Sequence, residues 1–493
     1  MIMNQPSIMP LSEYDERKKK LAQLRELGIE PYPARNERTH LIENVQNDFD
    51  SLMSSCEEVV IVGRLRTKRV HGNLAFSDVF DASGVLQVAL SKKELGDSYK
   101  RFVKLIDTSD FVELSGTVFV TKVGVRTLLV KKWVLLSKSL RNVPADHFGL
   151  KDEEERLRKR YLDVLLHEDV RDMLQKRSRF WRAVRTFHER HGFLEVETPV
   201  LETTTGGGDA NPFMTHHNAM DMDVYLRISA GELWQKRLMV AGFEKTFEIG
   251  RIFRNEGMSA EHAQDYTQCE AYWAYADFEK MQKFLKECYR FVVEETFGTQ
   301  QFRIGAFDVD FSGEWPVLDY TEEIKKQTGV DIWEVSDDEM IGAIERLGIV
   351  YEAGNRIRLI DTLWKYCRKN IGGPAILVNE PKITSPLSKA SHDNDRVTER
   401  FHFIIAGSEV GQGYSELNDP IDQRERFEQQ QALRDAGDDE AQMADWDFVE
   451  ALEYGMPPTA GHGFSERLFA FLMNKPIRYC QIFPLMKPKN ENE

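Results

Sequence analysis

Long hydrophobic runs are missing from this chain of 493 residues. No apolar stretch approaches the roughly 18–20 residues that a membrane-spanning helix needs, and the N-terminus lacks the apolar region of a secretory signal. Cysteine is scarce, with five scattered residues and no CxxC pair: Cys56, Cys269, Cys288, Cys367 and Cys480. We therefore expect no zinc site and no disulfide framework, and a protein of the reducing cytoplasm without a membrane partner.

An excess of positive charge is also missing, because the formal net charge is −16. Such a chain is not expected to bind nucleic acid non-specifically. A local basic patch can still dock RNA on an acidic protein, and Arg64, Arg66, Lys68 and Arg69 form one candidate. Charge alone leaves a second interpretation open, in which these side chains only line a solvated strand edge.

The length predicts two or three domains rather than one core. Short β-rich runs between residues 58 and 140, separated by turns such as His71-Gly72-Asn73, predict a small Greek-key barrel of the OB type, although the period alone does not exclude another small barrel. The runs are Val59–Val62, Leu74–Phe76, Val85–Leu90, Phe111–Leu114, Val118–Val120 and Thr127–Val130. We predict a helical extension over 1–57, the barrel over 58–140, a linker over 141–152 and a large mixed domain over 153–493.

The large domain opens with a helical pattern from Val170 to His191, followed by a strand at Phe193–Glu197. Residues 420–445 have the pattern of an acidic surface helix. Residues 330–370 show helical patches without a clear site.

The densest group of charged residues follows a strand–loop–strand pattern. Phe253-Arg254-Asn255-Glu256-Gly257 leads through a polar loop to Tyr266–Tyr272. Alternate residues share one face of a strand, so Arg254 and Glu256 are predicted to point together, and likewise Glu270 and Tyr272. So much charge on one wall indicates ligand pairing; a surface salt-bridge ladder is the alternative.

Two glycine-rich segments complete the pattern. In Ser408–Asp419, Glu409 and Glu416 flank Gly411 and Gly413, and two hard carboxylates suit Mg²⁺ on ATP phosphates. An exposed glycine turn is the commoner meaning of that spacing alone. In Pro457–Phe469 a glycine-rich strand runs into an apolar helix at Arg467, which could meet a phosphate or form a helix-capping salt bridge.

Together these segments resemble the class II aminoacyl-tRNA synthetases, the lysine enzymes in particular. Gly192–Pro199 resembles their first motif, Phe253–Tyr272 with its FRNEG run the second, and Gly461–Arg467 the third. The resemblance extends over nearly the whole chain. It implies an α+β protein with an N-terminal OB-type barrel and a class II catalytic domain built on an antiparallel sheet flanked by helices. It implies a homodimer that uses ATP, L-lysine and Mg²⁺ to charge tRNA(Lys).

The resemblance also implies roles for single residues. For catalysis it implies Arg254 and Arg467; for ATP, Arg254, Glu256, His262, Tyr266, Glu409 and Arg467; and for the metal ion, Glu409 and Glu416. For lysine it implies Gly207, Glu232, Arg254, Glu270, Tyr272, Gln412, Tyr414 and Glu416, and for the anticodon Arg69, Phe76 and Gln87. Carboxylates at 270 and 416 suit a substrate ammonium, whereas an aspartate enzyme needs a cation there.

Four positions depart from the family pattern. Glu261 stands where a basic residue is common, and Gln412 where Asn is usual. The third motif is one residue short near Ser465, and the run before Glu232 is one residue longer. The rival interpretations are an aspartyl- or asparaginyl-type enzyme, an inactive RNA-binding paralogue, and a ligase that attaches lysine to a protein; the acidic pocket, the intact charged residues and the barrel, respectively, argue against them.

Overall fold

The computed structural model describes residues 11–144, 150–208, 210–257, 259–351, 355–436 and 442–489. The chain divides into two compact units, one of residues 1–153 with 487–493 and one of residues 154–486. Residues 145–149 of the predicted linker lie outside the described part. Among the described helices, none has the length and apolar character that crossing a membrane requires.

In its described residues the first unit combines a barrel with five helices. Its helices are α1 (Leu11–Glu26), α2 (Ile42–Asn47), α3 (Phe49–Ser55), α4 (Lys92–Leu95) and α5 (Asp97–Leu105). Its strands are β1 (Val59–Leu65), β2 (Arg69–His71), β3 (Leu74–Phe80), β4 (Val85–Ser91), β5 (Phe111–Val120) and β6 (Arg126–Ser137). The alternating burial along β1 and β3 points every second side chain into one hydrophobic core.

The barrel closes through five strands. The sheet order is β1-β5-β6-β4-β3, with β2 added to β3, and a β1–β3 pairing joins the ends. This confirms the predicted barrel. The prediction of separate runs at 111–114 and 118–120 was wrong, since both belong to β5. Its ladder shifts between Ser115 and Gly116, where a Cβ at Gly116 would overlap the Leu129 carbonyl. The glycine marks a close approach to the next strand, not a turn.

The second unit is a mixed α+β domain. Its helices are α6 (Glu153–Arg158), α7 (Arg160–Leu166), α8 (Glu168–Arg190), α9 (Glu232–Val240), α10 (Phe278–Phe297), α11 (Tyr320–Thr328), α12 (Asp337–Arg346), α13 (Arg356–Arg368), α14 (Pro420–Asp435), α15 (Trp446–Glu453), α16 (Arg467–Leu472) and α17 (Ile477–Cys480). Its strands are β7 (Leu194–Glu195), β8 (Leu201–Glu202), β9 (Met214–His217), β10 (Met222–Leu226), β11 (Lys245–Phe253), β12 (Asp265–Ala274), β13 (Gln301–Ile304), β14 (Phe307–Asp310), β15 (Val317–Asp319), β16 (Ala375–Val378), β17 (Arg400–Ile405), β18 (Ser408–Ser415) and β19 (Thr459–Ser465).

An eight-stranded sheet organises this unit, in the order β15-β16-β17-β18-β19-β12-β11-β7. Its interior is antiparallel, as predicted, and the outermost pair at each edge is parallel. Helices α8 and α10 pack against one face, where Phe180, Val184 and Phe284 join core residues of β12 and β19. Side chains that alternate with those core residues are therefore free to line a site on the opposite face.

Three predictions for this unit need revision. The strand predicted at Phe193–Glu197 is only the two residues of β7. The helix predicted over 420–445 ends at Asp435, α15 begins at Trp446, and residues 437–441 lie outside the described part. The helical patches at 330–370 are α12 and α13, and the second of them contributes to a site that its sequence pattern did not reveal.

Candidate active site

A cavity on the large sheet brings the sequence-predicted residues together. It is lined by residues of α9, α13, β12, β17, β18 and β19 and of the loop between β11 and β12. Thirteen predicted residues line it: Gly207, Glu232, Arg254, Glu256, His262, Tyr266, Glu270, Tyr272, Glu409, Gln412, Tyr414, Glu416 and Arg467. The three sequence segments thus meet at one place.

On β12, Glu270 and Tyr272 share a face, as the strand period predicts. The Tyr272 hydroxyl donates to Glu270 Oε2 at 3.2 Å, and the Ala230 backbone N–H donates to Glu270 Oε1 at 2.9 Å. Glu270 is buried. Burial, reinforced by the negative charge of Glu232, raises the pKa of the Glu270 carboxyl to about 8. A carboxyl in this state gains strongly from a cationic ligand.

A bulge in β18 places the two glutamates of that segment on one face. Glu409 and Glu416 are seven residues apart, an odd number that would direct them to opposite faces of a regular strand. The β17–β18 ladder skips one residue, because Phe403 pairs with Gly411 and Ile404 pairs with Glu409. The extra residue, Val410, reverses the alternation, so both glutamates line the cavity.

Three buried carboxylates and a lysine form what we call the acidic cluster: Glu232, Glu270, Glu416 and Lys236. Lys236 is only 1% exposed, and its Nζ lies 2.7 Å from Glu232 Oε1 and 2.5 Å from Glu416 Oε2. The Tyr414 hydroxyl also donates to Glu232. Burial raises the pKa of Glu416 to about 8, and the charge of Lys236 opposes that rise. Lys236 thus pairs with Glu232 and Glu416, whereas Glu270 is held by neutral donors, so the cluster is short of positive charge.

Sequence reasoning missed Lys236. Its signal was available, since Glu232 and Lys236 stand four residues apart at the start of a helix and therefore share a face. That spacing usually marks a surface pair. The pair is buried here because α9 packs between β12 and α15, where Phe448 and Tyr272 lie near the lysine.

Glycines give the acidic cluster its room. A Cβ at Gly461 would come within 2.6 Å of the Tyr272 ring and would overlap the Glu416 carboxylate. Gly207 has φ +84°, and a Cβ there would lie 2.5 Å from Ser229 Oγ and 2.8 Å from Glu232 Cβ. Both positions require glycine for close approach.

Arg254 and Glu256 lie in a loop and not on a strand, which corrects the predicted alternation. Strand β11 ends at Phe253; the Arg254 N–H still reaches the Gln264 carbonyl at 2.8 Å, after which the chain leaves the ladder. Arg254 Nε donates to the Ile228 carbonyl at 3.3 Å. Both side chains nevertheless line the cavity, because the loop folds over it.

A second group, the cationic cluster, contains His262, Lys365, Arg368, Glu409 and Arg467. Desolvation and the charges of Arg467, Arg368 and Lys365 lower the pKa of His262, while Glu261 opposes them. Arg467 Nη1 donates to the Glu409 carbonyl at 3.2 Å. Despite desolvation, the charges of His402 and Arg368 hold the pKa of Glu409 below its usual value, and Trp364 Nε1 donates to its carboxylate. Glu409 is therefore ionised among cations.

Glu380, Arg400 and His402 form a network that the sequence did not reveal. His402 Nε2 lies 2.6 Å and Arg400 Nε 3.2 Å from Glu380 Oε2. Although burial opposes them, these two partners lower the pKa of Glu380 to about 2. Arg400 also donates to the amide oxygen of Gln412. All four side chains line the cavity, and the network fixes how Gln412 is presented. Scattered over β17 and two other segments, these residues offered no local motif.

No cluster of three His, Cys, Asp or Glu ligands suited to a metal ion occurs in the part of the chain that the structure describes. A magnesium ion that arrives on ATP needs only one or two protein carboxylates. Glu409 fits that requirement, being ionised and 32% exposed at its side chain. Glu416 fits it less well, because its carboxylate is unexposed and already pairs with Lys236.

On the barrel, the three predicted anticodon residues share an outer face. Arg69 of β2 pairs with Phe76 of β3, and Gln87 of β4 pairs with Asp78, which lies two residues beyond Phe76. Phe76 and Gln87 are partly exposed and Arg69 is exposed. An aromatic ring flanked by an arginine and an amide is a typical surface for an unstacked base.

One member of the predicted basic patch is not available to RNA. Lys68 Nζ donates to the carbonyls of Val103 at 2.6 Å and Ile106 at 2.5 Å, at the end of α5. Burial lowers its pKa to about 8. Lys68 therefore caps a helix, whereas Arg64 stacks on Phe111, with 4.4 Å between its guanidinium carbon and the ring centroid.

Comparison with known proteins separates the same two regions. Residues 152–487 match the family described as tRNA synthetases class II (D, K and N), and residues 59–136 match the OB-fold nucleic acid binding domain. A lysine–tRNA ligase of Thermotoga maritima is 40% identical over 98% of both chains. Those of Fervidobacterium nodosum and Clostridium novyi are 41% and 42% identical, over 97% and 96% of this chain and 94% of each relative.

Proposed function

We infer that this chain, which belongs to the class II aminoacyl-tRNA synthetases of the lysine–tRNA ligase type, is an ATP-dependent ligase that joins lysine to tRNA. One observation carries the choice of lysine: three buried glutamates line the cavity beside one internal cation, Lys236, which pairs with only two of them. An ammonium ligand satisfies that excess of negative charge, whereas an aspartate or asparagine side chain does not.

We propose that lysine occupies the acidic cluster. Glu270, Tyr272 and Glu416 receive the side-chain ammonium, and Tyr414 packs along the aliphatic stem. Gly207 and Glu232 receive the α-amino group. Arg254 and Gln412 face the carboxylate, with Gln412 positioned by Arg400. The support is burial and hydrogen bonding, since each carboxylate in the cluster is at most 5% exposed.

ATP is proposed to lie beside the cationic cluster, with Tyr266 stacked on the base and Glu256 and His262 along the loop. The lysine carboxylate is ionised at neutral pH, so its oxygen attacks the α-phosphorus without a general base. The new O–P bond forms as the bond from the α-phosphorus to the bridging oxygen breaks, and pyrophosphate leaves with the electron pair. Arg254 and Arg467 hold the reactants and neutralise the developing charge. A hydroxyl of the tRNA 3′ end then attacks the carbonyl carbon of the adenylate, the bond from that carbon to the phosphate oxygen breaks, and AMP leaves with the electron pair.

Magnesium is proposed to bind through Glu409, with Glu416 as the second carboxylate. A magnesium ion bound there supplies charge neutralisation for the phosphates. Trp364 and His402 hold the Glu409 carboxylate in place. The burial of Glu416 makes Glu409 the stronger of the two ligands in this proposal.

The barrel is proposed to read the anticodon of tRNA(Lys) through Arg69, Phe76 and Gln87. One lost base stack costs about 1–3 kcal/mol. The variant Phe76→Ala should therefore raise the KM for tRNA by about tenfold while leaving adenylate formation unchanged. The exposed turn residue Val123 gives a control, Val123→Ala. An equal fall in adenylate formation would mean that Phe76 supports the barrel and does not read RNA.

We further propose a homodimer that works in the cytoplasm. Exposed apolar side chains recur on β7 to β9, in their connections and in the turn after β9: Leu194, Val200, Leu201, Met214 and Met220, each at least 43% exposed. Strand β7 is also the edge of the large sheet, and such edges favour pairing. Trp181 and Phe187 of α8 are core residues and do not add to this exposed apolar surface. A monomer at micromolar concentration by light scattering would contradict this proposal.

Pyrophosphate exchange with each of the twenty amino acids tests the assignment. Exchange should require lysine, ATP and Mg²⁺ but not tRNA. Exchange driven by aspartate or asparagine would move the chain to another branch of its family. An absence of exchange with every amino acid would favour an inactive RNA-binding paralogue. Transfer of lysine to a protein would favour a ligase that modifies proteins.

A further inference from the structure

Helix α13 presents a row of charged side chains to the cavity. Arg358, Asp361, Lys365 and Arg368 recur at intervals of three or four residues, so they share one face of the helix. All four line the cavity. The sequence singled out none of them, and neither catalysis nor lysine binding as proposed above uses them.

Arg368 is the best anchored of these cations. Its Nη1 donates to the Gly407 carbonyl and to Ser408 Oγ, both at 3.1 Å. Both acceptors directly precede Glu409. Because an arginine carries five N–H groups and Nη1 has two of them, Nε and Nη2 keep three donors beyond these contacts.

The same serine holds Glu261. Ser408 Oγ donates to Glu261 Oε2 at 2.5 Å, so Arg368, Ser408 and Glu261 form one chain of contacts. Glu261 is not among the cavity-lining residues. Glu261 is therefore held by β18, and its charge offsets part of the charge of Arg368.

Arg368, Lys365, Arg467 and His262 all line the cavity, and the three positive charges lower the pKa of the His262 imidazole. The ionised carboxylate of Glu409 lies within the same cluster. Three cations around a histidine and one carboxylate suit a polyphosphate with its magnesium ion.

We propose that Arg368, assisted by Lys365, binds the β- and γ-phosphates of ATP and the departing pyrophosphate, supplying the positive charge that the loop lacks at Glu261. This proposal rests on the function inferred above. Ser408 and Gly407 hold the guanidinium in place before ATP arrives, which lowers the entropic cost of binding. Arg368 is thus a substrate-binding residue contributed by a helix that the three motifs do not include.

Kinetics of Arg368→Ala test the proposal. The KM for ATP and the inhibition constant of pyrophosphate should each rise about ten- to hundredfold, as expected for losing a charge-assisted contact. The KM for lysine should change less than about twofold. Arg368→Lys should recover part of the pyrophosphate affinity. The neighbouring Lys369, exposed and outside the cavity lining, gives the matched control Lys369→Ala, which should match wild type.

Ser408→Ala separates binding from anchoring. It removes the tether but keeps the charge, so it should be much milder than Arg368→Ala. If the two variants are equally impaired, with lower melting temperatures and a raised KM for lysine as well, Arg368 only anchors α13 and the proposal is overturned. Unchanged ATP and pyrophosphate constants in a folded Arg368→Ala protein overturn it too. If the wild type fails to exchange pyrophosphate with lysine, it is the proposed function that fails.

A separate experiment tests whether Arg368 supplies the positive charge that the loop lacks at Glu261. Adding Glu261→Arg to Arg368→Ala returns a cation to the loop and should restore at least part of the ATP affinity. A double variant no better than Arg368→Ala would overturn the link between the two positions.

Discussion

The acidic and cationic clusters line one cavity but are built in opposite ways. The acidic cluster is mounted on strands and one helix start, and each of its carboxylates is at most 5% exposed. The cations of the cationic cluster come from a loop, α13 and the start of α16, with Glu409 of β18 among them, and His262 and Lys365 are exposed. The difference teaches that rigid, desolvated charge serves to select a ligand, whereas exposed charge serves to hold a phosphate chain that must enter and leave.

The largest effect is expected where the two clusters meet the reacting atoms. Arg254→Ala and Arg467→Ala should each lower the rate of adenylate formation about 10²–10³-fold, because each removes a preorganised donor to developing charge. Rates come from single-turnover measurements, with circular dichroism as a check on folding. Near-normal rates in either folded variant would show that its arginine is structural and that adenylate formation does not take place between the two clusters.

A smaller effect is expected inside the acidic cluster. Glu270→Gln removes one charged partner of the lysine ammonium, a loss of about 1.5–3 kcal/mol, and should raise the KM for lysine about ten- to hundredfold while sparing ATP. Glu202, buried beside Trp234 and outside the cavity, supplies the control Glu202→Gln. Equal effects of both changes would point to lost stability and away from lost recognition.

The two clusters should also respond differently to pH. Because burial raises the pKa of Glu270 to about 8, the empty site holds a proton below that pH, and the lysine ammonium must displace it. The KM for lysine should therefore fall as the pH rises toward 8 and level off above it, until lysine itself loses its proton near about 10.4. Glu270→Gln should flatten this profile. A wild-type KM that is constant between about pH 6 and about pH 9 would contradict the assignment.

The smallest effect is expected at Gln412, which stands where Asn is usual. Gln412→Asn shortens the side chain and loses the bond from Arg400 that positions the amide, so lysine binding is affected only indirectly. The KM for lysine should rise by roughly two- to tenfold, with kcat nearly unchanged. A fall in kcat alone would mean that the amide acts in the transition state and not in substrate binding.

Local sequence patterns predicted most of the fold and most residues of the acidic cluster. Strand alternation placed Glu270 beside Tyr272, and the turn-separated runs predicted the barrel. Local patterns did not predict Lys236, because its spacing from Glu232 is also that of a surface pair. They did not predict Arg368 and Lys365 either, because their helix lies in a stretch without a motif. These residues acquire meaning only from what packs against them. Arg254 and Glu256 were placed correctly at the cavity through a wrong local structure, because the strand ends at Phe253, before both residues.

The single extra residue in β18 has a consequence for how this segment tolerates change. Successive side chains of a strand point to opposite faces, so the number of residues between two positions decides whether they share a face. The bulge residue Val410 changes that number and lets Glu409 share a face with Gln412, Tyr414 and Glu416. Substitutions at 410 leave that number intact, and deleting Val410 would leave Glu409 and Glu416 six residues apart, on the same face of a regular strand. Inserting one more residue beside the bulge would instead turn Glu409 toward the packed helices while its chemistry stayed the same. The number of residues in this segment therefore matters more than the identity of residue 410, because that number decides which face of the strand Glu409 occupies.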